Sequence, residues 1–419
     1  LYTVYKALSA VALARRLERE RGVPVVPVFW LAGDDHDFVE ANHAWVLNTA
    51  GDPVRIVLRE RPADAPLVPL FREMCGADAG AALGRLSDAL PDTEFKADVL
   101  TWLQSAYRPD ANLADAAAAA LAGLLGDRGG SAGLAIFRAH DRAAKRAAAP
   151  SILRGLDVTL PDGFTPVLIE GRAGRDRLRA DGPATFVARR SGERFTRAEL
   201  ERIAAETPER LSPNVLLRPA VEAALFPTVA YVGGPAEVGY LPEAAPLFAR
   251  LAVPAPAVVG RWSGVVIESR VDKVLTRHGL RPAEFDGARG GEPLETRLIR
   301  ESLPPDVVEA LERLRSAAHE HYAQLAVAAA RVDPTLERSV QSARNAALAG
   351  TQEIEKKLVA ALKRTNDALV GQLARARGAL APAGKPQERV LTAASFVVRY
   401  GPGFLDALDA EVARWAAAP

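Results

Sequence analysis

The sequence predicts an α/β protein with a mostly parallel, helix-covered sheet, an insertion at about 160–210 and a separate antiparallel coiled-coil hairpin. Three observations carry this. Strand-like and helix-like segments alternate through the first half, which is the pattern of a helix-covered, mostly parallel sheet. Residues 160–210 interrupt the alternation with short strands separated by turns. From residue 304 the apolar residues fall into the 3–4 spacing of a coiled-coil seam. With 419 residues the chain exceeds one ordinary core, so more than one domain is expected.

The elements follow in order. "YKALSAVALARRLERERG" (5–22) has helical periodicity, with Leu8, Val11, Ala12 and Leu17 on one side, and stops at Gly22. "VPVVPVFWL" reads as a buried strand, "VEANHAWVLN" as helix and "PVRIVL" (53–58) as strand. "LADAAAAALAGLLG" (113–126) is an Ala-rich helix and "SAGLAIF" (131–137) a further strand. "TPVLIE", "ATFVARR", "TVAYVGG" and "APAVVG" are short strands. Val307, Leu311, Leu314, Ala318, Leu325 and Val332 form the first seam helix. Asp333 caps a second helix with Pro334 at its first position, running through Ile354, Leu358 and Leu369 to about Arg377 and roughly 60 Å long. The expected domains are a core at 1–303, the hairpin at 304–378, and a C-terminal segment, 379–419, packing back on the core through Phe396, Val397, Val398, Phe404 and Leu408.

Composition excludes several function classes. The chain is 49% hydrophobic and 25% charged, with 53 Lys and Arg against 52 Asp and Glu. A net charge of +1 supplies no global field for nucleic acid or an anionic membrane. No apolar run approaches the ~20 residues that span a bilayer. The single cysteine, Cys75, rules out an internal disulfide and a cysteine-rich metal site, and suits a reducing cytoplasm. It also argues against thioester chemistry on the enzyme. Residue 1 is Leu, which leaves room for an upstream segment, and no signal peptide is visible.

Three constellations carry chemistry. In "WLAGDDHDFVEANH" a strand runs into Asp34, Asp35, His36 and Asp37, where open α/β sheets bind ligands. A helix cap needs one acid, not three beside an imidazole, so the four are candidate catalytic residues, with His36 as general base. The cluster suits a substrate ammonium or Mg²⁺ better than a bare phosphate. His43, two helical turns on, has no zinc-ligand spacing, and no metal site is expected from it. The second constellation, "LSPNVLLRPAVEAALFPTVAYVGGPAEVGY" (211–240), supplies Ser212, Asn214, Arg218, Gly233, Gly234, Glu237 and Tyr240 as candidates for binding substrate or nucleotide. Its paired glycines allow close backbone approach to a ligand, or make a tight strand–helix turn. The third, "GKPQERVL" (384–391), offers Lys385 and Arg389 to a phosphate or carboxylate, at the rim opposite Asp34–Asp37, or to solvent.

Taken together, "LYTVYKALSAVALARRL", "PVVPVFWLAGDDHDFVEANH", "SPNVLLRPAVEAALFPTVAYVGGPAEVGYLPEAAPLF" and "GKPQERVL...YGPGFLDAL" resemble the bacillithiol-synthesis cysteine-adding enzymes, the BshC family. The resemblance runs from residue 1 to about 407 and thins over 60–210. It adds Tyr2, Lys6, Asn42 and His43 to the binding candidates. It implies a Rossmann-like core like that of nucleotidyl-transfer enzymes, with inserted connecting segments, a coiled coil that makes a homodimer, and a cytoplasmic ligase. The implied reaction joins the carboxylate of cysteine to the amine of glucosaminyl-malate, the last step of bacillithiol synthesis. ATP or ADP in the core, with Mg, is compatible with it, and the cofactor is otherwise open. The family more often has Glu where this chain has Asp34, and a glycine-rich stretch before "LYT". Two other readings share these residues: a nucleotidyl-transfer or hydrolytic enzyme acting on another small amine, and a non-enzymatic dimeric nucleotide-binding scaffold.

Overall fold

A computed structural model describes residues 1–126, 133–285 and 293–418. The chain divides into an α/β unit (1–265 with 387–419) and a helical unit (266–386). These limits differ from the expected 303 and 378. Two further helices precede the hairpin and pack with it, as described below, so the helical unit begins earlier than the seam.

In the α/β unit, helix α1 (Tyr2–Arg21) ends on the left-handed Gly22, whose N–H donates to the Glu18 carbonyl. Strand β1 (Val28–Leu31) follows, then a single helical turn, α2 (Phe38–Ala41). Strands β2 (His43–Leu47) and β3 (Pro53–Val57) pair antiparallel, with Trp45 opposite Arg55. The helix expected over "VEANHAWVLN" therefore stops after one turn. Val46 and Leu47 are wholly buried, and Trp45 bridges to Leu391, so tertiary contacts override the local pattern. Helices α3 (Asp78–Ala89), α4 (Lys96–Ala106) and α5 (Leu113–Leu125) lead to β4 (Ala135–Arg138), which lies parallel to β1 in the register Val28–Ala135 to Leu31–Arg138. The start of the "SAGLAIF" strand falls outside the described residues.

Helix α6 (Arg142–Gly155) introduces a second layer. Strands β5 (Val167–Gly171), β6 (Gly174–Ala180), β7 (Thr185–Ala188) and β8 (Arg194–Thr196), helix α7 (Arg197–Glu206) and strand β9 (Leu211–Pro213) follow. The five strands form one antiparallel sheet in the order β8-β7-β6-β5-β9. The 160–210 insertion is thus a meander. Its inward residues, among them Ile169, Leu178 and Phe186, share a core with Ile152 of α6 and with Leu217 and Val221 of the next helix, α8 (Leu217–Leu225). Strand β10 (Ala230–Gly233), helices α9 (Pro235–Tyr240) and α10 (Ala245–Leu251), and β11 (Ala257–Gly260) complete this part. β10 and β11 are parallel, with Gly233 opposite Gly260. Among the described strands, β1–β4 and β10–β11 are the parallel pairs, and α1 packs against both β1 and β10.

Gly174 sits at φ 80°, where a Cβ would lie 2.4 Å from the Leu67 backbone. This close approach lets the Leu67 carbonyl accept the Arg175 N–H at 2.7 Å.

The helical unit begins with α11 (Ser269–His278) and α12 (Leu294–Glu301). Helices α13 (Pro305–Val332) and α14 (Leu336–Thr365) then form the hairpin, and α15 (Asp367–Leu380) follows. Leu311 and Val359 are buried, and Arg315 pairs with Glu355 across the two helices, which sets the antiparallel register. α11 packs on α15 and α12 on α14. The second long helix starts two residues later than expected, because Asp333 accepts the Thr335 N–H at 2.8 Å and holds a turn. It breaks at Asn366 (φ −111°, ψ 41°), so its 30 residues span about 45 Å rather than 60 Å.

The last three helices, α16 (Gln387–Val390), α17 (Ala394–Tyr400) and α18 (Pro402–Ala417), belong to the α/β unit. Phe396 and Val398 are fully buried, Phe396 stacks on Phe404 at 5.2 Å, and Arg15 of α1 pairs with Asp409 of α18 at 3.1 Å.

Candidate active site

Two charged clusters stand at the carboxyl ends of the parallel strand pairs. The first follows β1. Asp34 is buried and pairs with the equally buried Lys145 of α6 at 2.7 Å. Burial would raise the Asp34 carboxyl, but Lys145, Arg175 and Arg218 outweigh it and hold the group at about 2. Asp37 accepts the Glu40 N–H at 3.1 Å and caps α2. Asp35 and His36 have accessible side chains, 53% and 30% exposed, and the capping Asp37 is exposed as well. Arg175 of β6 reaches them. Its Nη1 donates to His36 Nδ1 (3.3 Å) and Asp35 Oδ1 (3.4 Å), its Nε to Ser212 Oγ (2.9 Å), and its Nη2 to the Pro213 carbonyl (3.0 Å). Burial and the Arg175 charge lower the His36 imidazole, so it is neutral at pH 7.

The second cluster centres on Glu237 in α9. Its Oε1 accepts from Lys6 Nζ (2.8 Å) and Tyr231 (3.0 Å), and its Oε2 from Lys6 Nζ (2.6 Å), the Gly234 N–H (2.9 Å) and, at longer range, Tyr2 (3.4 Å). Arg218 Nη2 lies 3.5 Å from Oε1. Burial opposes the charge, but Lys6, the Gly234 amide and Arg218 keep this carboxyl below its ordinary range. The paired glycines therefore make the capped strand–helix turn, and the Gly234 N–H is engaged by protein. A Cβ on Gly234 would meet the Tyr2 hydroxyl at 3.0 Å. Glu222, one turn after Arg218 on α8, is buried with Arg218 Nε 3.5 Å away. Desolvation dominates there and pushes the carboxyl up to about 7. Arg261 and Arg389 stack on the Tyr2 ring at 4.6 and 4.4 Å, and Arg261 also pairs with Glu388. The Arg218 charge reaches Asp34, so both clusters share one electrostatic neighbourhood.

The structure brings together Asp34, Asp35, His36 and Ser212 at one strand end, and Tyr2, Lys6, Arg218, Glu237 and Arg389 at the other. Tyr240 feels the charges of Arg218 and Glu237. Gly233 ends β10 and accepts the Arg261 N–H through its carbonyl. The Asn214 side-chain oxygen accepts the Leu216 and Leu217 N–H groups in the turn that leads into α8. Asn42 is buried and donates to the Arg59 carbonyl, and His43 lies on β2 with Nδ1 3.0 Å from the Asn42 amide oxygen. Lys385 is exposed in the helical unit. Two residues were not signalled by the sequence: Lys145, 111 positions from Asp34, and Arg175, 139 from His36. A lysine inside an Ala-rich amphipathic stretch and an arginine in an alternating strand carry no local mark of function. The Cys75 thiol is buried and pushed up by desolvation, which suits an inert core residue.

Mg²⁺ does not fit the acidic cluster, since Asp34, Asp35 and Asp37 are committed to Lys145, to Arg175 and a backbone amide, and to a helix cap. Among the described residues no group of three or more His, Cys, Asp or Glu converges as a metal site. For a nucleotide phosphate the donors are also few. The Gly234 amide, Lys6 and Arg218 already serve carboxylates, and Arg190 and Arg389 remain as exposed cations. Among the described residues no helix is long and apolar enough to cross a membrane.

A Rossmann-like unit with charged strand ends, joined in sequence to a helical hairpin, defines a two-part α/β and coiled-coil protein. The family description "Bacillithiol biosynthesis BshC, N-terminal Rossmann-like domain" matches residues 1–159 and 167–262, and its "C-terminal coiled-coil domain" matches residues 264–413. The chain belongs to the BshC family. It is 31% identical over 444 residues to the "Putative cysteine ligase BshC" of Salinibacter ruber, spanning 97% of this chain and 77% of that protein. The proteins of the same name from Chlorobaculum tepidum and Geobacillus thermodenitrificans are each 30% identical, over 97% and 98% of this chain and 77% and 79% of their own lengths.

Glu222 gives the second cluster a pH signature. Its folded-state pKa lies above the unfolded value of 4.5, so its contribution to stability is complete below pH 4.5 and is lost as pH rises through about 7. Glu222→Gln removes that loss. Denaturant unfolding should show the variant gaining on the parent by about 2 kcal/mol between pH 5 and pH 8. A gain that stays flat over this range would place the Glu222 carboxyl in its ordinary range.

Proposed function

We propose that the chain is a ligase that joins the carboxyl group of cysteine to the amine of glucosaminyl-malate by an amide bond, the last step of bacillithiol synthesis. The observation that carries this reading is the Asp35–His36 pair, accessible and held at the end of β1 by Arg175, itself anchored on Ser212, within the domain that matches the BshC family. Amide formation needs an activated acyl group, a donor for the oxygen that gains charge, and a neutral amine. The exposed Asp35 carboxylate suits a substrate ammonium. His36 and the exposed Arg190 face the same region, since both Arg175 and Arg190 act on the imidazole. Asp34 and Asp37 act through position: one fixes the turn from within and the other starts α2. No step is assigned to a nucleotide or a metal.

Mass spectrometry of a reaction containing cysteine, glucosaminyl-malate and ATP should show the coupled product. Asp35→Asn should lower its rate about 10²-fold while the melting temperature stays within a few degrees. Absence of product from the parent chain with this acceptor would overturn the substrate assignment. An Asp35→Asn rate within a few-fold of the parent would remove Asp35 from the site.

We also propose that the hairpin pairs with a second copy. Leu314, Leu325, Val327 and Ile354 are half-exposed or more along the two helices, an apolar stripe that association would cover. Light scattering should report a dimer for the parent and a monomer for Leu325→Glu/Val327→Glu. A dimer that survives both substitutions would place the interface elsewhere.

A further inference from the structure

We infer that Arg175 is a positioning residue that locks His36 in its neutral form with the proton on Nε2, so that the imidazole offers a hydrogen-bond donor, not a base, to a substrate oxygen that bears or gains negative charge. The tautomer follows from the protein alone. The assignment of that oxygen to an acyl group rests on the ligase reading above.

A guanidinium has only donors and stays charged at any physiological pH. Arg175 Nη1 lies 3.3 Å from His36 Nδ1, so Nδ1 is the acceptor and carries no proton. Neutral imidazole has one N–H, which is then on Nε2. The arginine has little freedom to withdraw. Its side chain is 12% exposed, its other nitrogens are held by Ser212 and the Pro213 carbonyl, and its backbone is pinned to Leu67 beside Gly174.

The competing arrangement is an Asp–His dyad, with Nδ1–H donated to Asp35 and Nε2 bare as a base. The distances disfavour it. Asp35 Oδ1 lies 3.5 Å from Nδ1, and it already accepts the His36 backbone N–H at 2.7 Å and Arg175 at 3.4 Å. A proton added at Nδ1 would point at the guanidinium. The charged groups facing the ring are Arg175 and Arg190, which oppose protonation, and Asp35 and Asp37, which favour it. Burial adds to the first pair, and the neutral ring results.

A fixed Nε2–H within the field of the exposed Arg190 suits an oxyanion, whose hydrogen bond strengthens as charge develops. The general-base role expected for His36 from the sequence is incompatible with this geometry, because the only lone pair on the ring is occupied.

Long-range ¹H–¹⁵N NMR of the full chain labelled with ¹⁵N-histidine tests the tautomer without any substrate, with His36→Gln assigning the signals. We expect a protonated Nε2 and a bare Nδ1 at pH 7, and a titration midpoint below 6.5. In Arg175→Met the midpoint should rise and the second tautomer should appear. An Nδ1–H form or a charged ring in the parent at pH 7 would overturn the inference, and so would an Arg175→Met spectrum identical to the parent's. The parent spectrum decides the tautomer even if Arg175→Met fails to fold. In the ligation assay, His36→Gln keeps an N–H near the Nε2 position and should retain activity within about tenfold, while His36→Ala should lose about 10²–10³-fold. Equal losses would contradict the donor role. A chain inactive toward glucosaminyl-malate would sink the ligase reading and leave the tautomer result standing.

Discussion

The buried Lys145–Asp34 ion pair is the joint on which the first cluster depends. Lys145 and Asp34 are 2% and 8% exposed at their side chains, and the lysine also donates to the Leu211 carbonyl at 2.9 Å. One ammonium thus holds the turn after β1 and the first residue of β9 in register. The next residue, Ser212, holds Arg175, and Arg175 holds Asp35 and His36. Two charges taken from water are tolerated only with short geometry and further hydrogen bonds, and removing one partner costs about 3–5 kcal/mol. Here Asp34 gains help from the Arg175 and Arg218 fields, which explains why it stays ionised though buried.

The two strand ends carry opposite adjustments. Near β1, burial and then the charges of Arg175 and Arg190 depress an imidazole and keep it neutral. Near β10, desolvation lifts a glutamate to about 7, while its neighbour Glu237 stays ionised because Lys6, the Gly234 amide and Arg218 outweigh its burial. Groups of similar type pushed apart by their surroundings are a mark of functional sites. Lys6 and Arg218 face the carboxylates of the second cluster, and Arg175 and Arg190 face the histidine of the first.

Much of this was readable in the sequence. The run from "VPVFWL" into "GDDHDF" marks a strand end with excess ionisable groups, and that is where β1 stops. The 3–4 spacing of Leu311, Leu314 and Val359's neighbours marks the hairpin, and the buried Phe396 and Val398 are those expected to dock the C-terminal segment. The division of labour within Asp34–Asp37 was not readable, because it depends on partners distant in sequence. Lys145 turns one acid into a structural ion, and Arg175 turns the histidine from acceptor to donor. The "VEANHAWVLN" segment shows the limit of local pattern: its helical spacing is real, but pairing with β3 and burial against α17 and Leu391 make it a strand. The break at Asn366 has no proline or glycine to announce it.

One buried ion pair sets the geometry of the first cluster on both of its sides. Hydrogen–deuterium exchange of the Lys145→Met variant, read by peptide, measures this coupling. Segments 33–38 and 211–214 should lose protection together, while the α8–β10 region around Glu237 keeps most of its own. Loosening confined to 33–38, or protection unchanged in both segments, would contradict it.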